Sequence, residues 1–186
     1  MEWGEPPVNF LSIDSLIMLF EILSPLYQIV YIRMEPKNKL MDMDGSGSSF
    51  RFDDKSTIRQ KFPSIILLDD IFDDTAMDYN LLMFGLASQA ELFVSVQGGN
   101  SVVASLWGKP NFIYAVKGGE IIKGGFKNGW YGQLAGGDRE SLVTVYNHRE
   151  ELVADVWRYH YCKRVREDEA LGASYLPRQG VLTSPP

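Results

Sequence analysis

The sequence predicts an α/β chain in which a mostly parallel sheet lies between two layers of helices, and three observations predict it. Short apolar runs rich in Val, Ile, Phe and Tyr alternate with longer segments of helical pattern, the arrangement expected of strands joined by helical crossovers. The run Leu92 to Gly108 (Leu-Phe-Val-Ser-Val-Gln-Gly-Gly-Asn-Ser-Val-Val-Ala-Ser-Leu-Trp-Gly) reads as a buried strand, a tight glycine turn and a helix start. After Gly108-Lys109-Pro110 stops that helix, a second apolar run, Asn111 to Ala115, ends in another glycine turn, Lys117-Gly118-Gly119-Glu120. Together these give a Rossmann-like, three-layer domain.

Taken in order, Val8 to Leu11 offers at most a short strand. Ser12 or Asp14 caps a core-facing helix over the apolar run Leu16 to Leu26, which Pro25 ends. Tyr27 to Arg33 is a strand, and Glu35 to Asp54, rich in Gly, Ser and Asp, is a loop. A short helix from Ser56 to Lys61 leads through Pro63 to a strand at Ser64 to Asp69. The acidic run Asp69, Asp70, Asp73, Asp74 and Asp78 forms a loop that opens a helix at Ala76 to Ser88, whose buried residues are expected to be Leu81, Leu82, Phe84 and Leu86. Beyond the two glycine-turn strands, 117–138 is irregular, Leu142 to Tyr146 is a strand and Arg149 to Arg164 a helix. The expected organisation is one domain over 1–164 and a C-terminal extension over 165–186, docked or disordered, with too little apolar patterning for a further element.

The glycine turns carry the chemistry. Asn100 or Ser101 suits the cap of the helix that follows the first turn, and Gly98 and Gly99 let a ligand come close to the backbone. The amides at the start of a helix lack intrahelical acceptors and stand at its positive dipole end, so a phosphate or diphosphate is their natural guest. Two such turns after adjacent parallel strands share one sheet edge, where open α/β folds bind ligands.

On these residues the chain resembles a known family. Val96-Gln97-Gly98-Gly99-Asn100-Ser101, Ala104-Ser105, Ile113-Tyr114, Gly118-Gly119-Glu120 and Gly129-Trp130-Tyr131 look like the carboxyl-terminal, donor-binding half of glycosyltransferases with the B-type fold. Tyr27 to Arg33 and, more loosely, Phe62 to Asp70 extend the likeness; the Gln-Gly-Gly-Asn-Ser segment is its specific part. The resemblance implies a nucleotide-sugar donor as substrate, with Gln97, Gly98, Gly99, Asn100 and Ser101 around the diphosphate and Glu120 as partner for ribose or sugar hydroxyls. No cofactor or metal is required on that reading. In that family the donor half alone lacks the acceptor wall of the cleft and often the catalytic base, so transfer calls for an acceptor-binding half, and the chain reads as a fragment, a degenerate descendant or one subunit. The competing reading is a non-catalytic scaffold or accessory subunit of a larger assembly. Trp157, Arg158, Tyr159 and Tyr161 on the last helix are residue types enriched at protein interfaces, and that helix and the tail are the expected surface for a protein partner.

Composition narrows the classes. The 45% hydrophobic residues are enough for a core, and a net charge of −6 argues against a general nucleic-acid binder. The apolar run near Leu16 is too short and too charged for a membrane span, and Met1 is followed by acidic and proline residues where a secretory signal needs a basic start and an apolar core. Compartment stays open. Cys162 is the single cysteine, so no internal disulfide forms. Asp42, Asp44, Gly47 and Asp53 partly match a calcium loop, but Pro36 spoils the incoming helix and a solvated loop is favoured. The run from Asp69 is a second candidate for a cation, against a solvated loop. His148 and His160 qualify as bases only when they face the glycine turns, and His160, among aromatic residues, is read as packing.

Overall fold

The structure is a computed structural model that describes residues 9–33, 39–41, 49–73, 78–126, 131, 133 and 143–170. Its elements are α1 (Ile13–Leu23), β1 (Val30–Tyr31), β2 (Lys39–Met41), β3 (Ser49–Arg51), α2 (Asp54–Lys61), β4 (Ile66–Leu67), α3 (Leu68–Asp73), α4 (Tyr79–Gln89), β5 (Phe93–Val96), α5 (Gly99–Leu106), β6 (Asn111–Tyr114), α6 (Gly119–Ile122), β7 (Val143–Tyr146) and α7 (Arg149–Ala170). The fold is α/β with mostly parallel strands, compatible with a Rossmann-like domain. Strands β5, β6 and β7 form a parallel sheet in sequential order, β1 pairs in parallel with β4, and β2 pairs with β3 in antiparallel fashion.

Register explains the layers. Val94 pairs with Phe112, and Val96 with Tyr114 and then Tyr146. These residues share one sheet face and pack with Leu16, Leu19, Phe20 and Leu23 of α1 and Leu152, Val153 and Val156 of α7. The alternate residues Ile113, Val143 and Val145 point the other way, where they meet Val102 of α5, Phe126 and Tyr131. A period of two along each strand thus puts helices on both faces of the sheet. Each fully buried Leu or Val contributes roughly 1.5–3 kcal/mol of burial. The amino ends of β1 and β5 are tied by Lys163 of α7, which donates to Glu91 just before β5 at 2.7 Å and lies over the ring of Tyr27 just before β1.

Several expectations hold. Ser12 caps α1, its hydroxyl accepting the Ser15 amide at 3.2 Å. The strand, glycine turn and helix at 93–106, the strand at 111–114 and the strand at 143–146 stand where expected.

Others are corrected. Of the segment read as a short strand, residues 9–11 form none, Val8 lying outside the described residues. The stretch Glu35 to Asp54, read as loop, carries the β2–β3 pair and the start of α2. Asp69, Asp70 and Asp73 belong to helix α3; Asp74 lies outside the described residues. Asp69 is bonded to Lys55 and Asp70 to Arg59, so cations on α2 hold the run in place. Helix α4 starts only after Asp78, whose carboxylate accepts the amides of Asn80 and Leu81. That start turns Leu82, Met83 and Ala87 inward, leaving Leu81 (63% exposed) and Phe84 outside. Helix α7 runs past Arg164 to Ala170. The proposed calcium-loop residues Asp42, Asp44 and Gly47, and Gly129 and Trp130 of the resemblance, lie outside the described residues.

Candidate functional site at two glycine turns

The two turns stand at the carboxyl ends of neighbouring strands, β5 and β6. Gly98 leaves β5 with φ +151° and ψ −173°, and Gly118 leaves β6 with φ +151° and ψ 171°. That region is essentially restricted to glycine. Close packing adds a second constraint at Gly118, where a Cβ would lie 1.9 Å from Gln97 Nε2. Gln97 therefore crosses directly over the second turn, and its side-chain amide donates to Glu120 Oε2 in the first turn of α6. The Gln97 amide oxygen is buried and has no hydrogen-bond partner among the described residues. One side-chain bridge thus joins the two turns.

Gly98, and neither Asn100 nor Ser101, is the N-cap of α5. With no side chain of its own, Gly98 is served by Ser101 one turn on: Ser101 Oγ accepts the Gly98 amide at 3.2 Å and donates to its carbonyl at 2.7 Å. Ser101 is fully buried, and its backbone amide reaches the Gly98 carbonyl at 3.1 Å. The hydroxyl expected near a ligand thus faces inward. Gly99 and Asn100 are exposed, and as the first two helical residues their amides have no intrahelical acceptor. These amides are the donors an anion would meet. The exposed Lys117 and Lys123 bracket the second turn.

Residues that sequence reasoning passed over complete the edge. Asn9 Oδ1 accepts the amides of Val116 at 2.7 Å and Lys117 at 3.2 Å, and its Nδ2 donates to the Lys117 carbonyl, which pins the second turn. Arg149, at the start of α7, donates to the Phe10 carbonyl at 3.0 Å and stacks on the rings of Phe10 and Tyr114. Both act across more than 100 residues of chain, a separation that local patterning does not register.

At the carboxyl end of β1, Arg33 is bonded through two nitrogens to Asp54, each at 2.7 Å, and both residues are buried. Tyr31 also donates to Asp54, at 2.5 Å. Burial, then the neighbouring carboxylate, pushes the Tyr31 hydroxyl well above its ordinary range, so it remains a donor. The cation nearest that strand end is thus engaged by a carboxylate.

Of the two histidines, His160 lies on the face of α7 that packs against Tyr27 and is 4% exposed, and His148 is exposed just before α7. Among the described residues, no group of three or more His, Cys, Asp or Glu is placed to hold a metal ion, and no helix is long and apolar enough to cross a membrane. Compared with known proteins, the chain matches no family model, no curated protein and no solved structure.

Proposed function

We propose that the chain binds the diphosphate of a nucleotide-sugar donor at its glycine turns and acts as the donor half of a glycosyltransferase-like assembly. The observation that carries this reading is the Gln97–Glu120 bridge, which brings the two turns at the carboxyl ends of β5 and β6 into one site. The outward amides of Gly99 and Asn100 suit the diphosphate, and the dipole of α5 adds roughly 0.3–1 kcal/mol for an anion at its start. Glu120 accepts hydrogen bonds only, which suits the hydroxyls of ribose or sugar. During transfer the bond between the sugar and the diphosphate breaks and negative charge grows on the departing group, where helix-end donors stabilise it. The acceptor oxygen forms the new bond, and its proton passes to a base of an acceptor-binding half.

An NMR titration with UDP, GDP, ADP and CDP tests the reading. The amides of Gly99 and Asn100 should shift with one nucleotide at concentrations that leave the rest of the spectrum nearly unchanged. Shifts confined to other parts of the molecule, or none with a folded chain, would remove the donor site.

One observation supports a second reading, a scaffold that works by binding other chains. Trp157 and Tyr161 stack at 5.4 Å on α7 with half of each side chain exposed, the kind of aromatic pair that anchors interfaces. A folded chain that binds none of the four nucleotides favours it.

A further inference from the structure

A buried chain of polar side chains backs the first glycine turn. Ser95 Oγ donates to Asn111 Oδ1 at 2.8 Å, and Asn111 Nδ2 donates to the Ser101 carbonyl at 3.0 Å and to Ser105 Oγ at 3.1 Å. Ser105 Oγ donates to the same carbonyl at 2.9 Å. Asn111, Ser101 and Ser105 are at most 1% exposed, so these bonds form away from water and are costly to leave unmade. The inward face of α5 is made of small residues, Ser101, Ala104 and Ser105, which lets the helix sit close to the sheet and within reach of Asn111.

Hydrogen counting then assigns the direction of one more bond. The Ser101 hydroxyl has a single proton, and the 2.7 Å contact to the Gly98 carbonyl uses it. The 3.2 Å contact between Ser101 Oγ and the Tyr131 hydroxyl therefore has tyrosine as donor. Tyr131 is fully buried, packs on Phe126 with ring centres 4.7 Å apart, and its amide donates to the Gly125 carbonyl at 3.0 Å. Burial outweighs the lowering effect of the contact with Ser101 and, with the charge of Glu120 added to it, raises the pKa of its phenol above the ordinary value, so the phenol stays protonated at neutral pH.

We infer that Tyr131 is a positioning residue for the anion turn: by donating to Ser101 it fixes the hydroxyl that holds both the amide and the carbonyl of Gly98. Its ring belongs to the connection that leads from Glu120 towards β7, so the connection that supplies the hydroxyl-binding carboxylate also sets the direction of the Gly99 and Asn100 amides. The consequence for nucleotide binding rests on the donor reading proposed above; the control of Gly98 does not.

Amide hydrogen exchange at Gly98, read by NMR, tests this on the wild type, Tyr131→Phe, Ser101→Ala and the double variant. Loss of one hydrogen bond is worth about a fivefold change in an opening equilibrium. Tyr131→Phe should therefore speed Gly98 exchange by about that factor, Ser101→Ala at least as much, and the double variant no more than Ser101→Ala alone, because the phenol acts through the serine. Unchanged exchange in Tyr131→Phe, or fully additive effects in the double variant, would overturn the inference. Should Tyr131→Phe not fold, Ser101→Ala decides by itself: Gly98 exchange and the Tyr131 ring resonances must change together, and a change in one alone counts against the coupling. Affinity for UDP, GDP, ADP and CDP is a separate arm. A wild type that binds none of them ends the donor reading and leaves the exchange cycle to judge the positioning; a wild type that binds one should bind it about fivefold more weakly as Tyr131→Phe, and equal affinity would break the link to the ligand.

Discussion

Gly118 and Gly99 are neighbouring kinds of residue in the sequence and opposite kinds in the structure. Gly118 holds a backbone conformation that L side chains rarely adopt and has Gln97 directly above it, whereas Gly99 has nothing within 4 Å of where a Cβ would stand and no positive φ. Gly118→Ala should cost about 1–3 kcal/mol from the backbone alone and more from the displaced Gln97. Gly99→Ala should leave stability unchanged or slightly raised, since alanine is the better helix residue. Urea unfolding of the two variants checks both, and an unmoved midpoint for Gly118→Ala would contradict the geometry described at the second turn. The same contrast shows what the sequence made legible. Glycine pairs announce a tight turn, and Gln97, Gly98, Gly99 and Glu120 do gather at one place. A single serine does not announce which way it faces, and Ser101 turns inward because Tyr131 and Gly98 claim its hydroxyl.

At the scale of elements, α2 owes its place to charges that arrive from elsewhere. Asp54 at its start takes Arg33 from the end of β1, and Lys55 takes Asp69 from α3. Asp54→Ala leaves a buried guanidinium without its carboxylate and should lower stability by about 3–5 kcal/mol. Urea unfolding measures it, and a loss under about 1 kcal/mol would place Arg33 in contact with water. These long-range pairs are also why the sequence misplaced its neighbours. An acidic run looks like a solvated loop until Lys55 and Arg59 are brought beside it, and the strands β2 and β3 are three residues each, too short for a period-two signal. The end of helix α7 is hidden for a different reason: past Arg164 it continues through Val165, Arg166, Glu167, Asp168, Glu169 and Ala170, mostly good helix formers with no apolar stripe to mark them. The strand, turn and helix at 93–106 were readable because each signal there is local.

Across the whole molecule, α7 closes the fold by reaching both ends of the sheet. Its start places Arg149 over Tyr114 at the carboxyl edge, and further along it sets His160 and Lys163 against Tyr27 and Glu91 at the amino edge. His160 is buried, its Nε2 has no hydrogen-bond partner among the described residues, and burial, reinforced by the Lys163 charge, holds its pKa below the ordinary 6.5. Tyr159 is the other titratable ring beside it. As pH falls through 6.5 the unfolded chain takes up the proton before the folded one does, so stability is full above that value and declines until the folded-state pKa is passed. Wild type should lose more stability than His160→Gln between pH 7.5 and 5.5 in urea unfolding; parallel profiles would mean that His160 is solvated in the folded chain. The glycine turns stand at the opposite edge, and titration calorimetry against UDP, GDP, ADP and CDP tests them most directly, with Gly99→Asp as the variant because that position has room for a side chain and the new carboxylate would repel a diphosphate. A donor site at the glycine turns requires that one nucleotide bind the wild type and be lost in the variant while the unfolding midpoint holds. Binding that survives Gly99→Asp, or a folded wild type that binds none of the four, would contradict it.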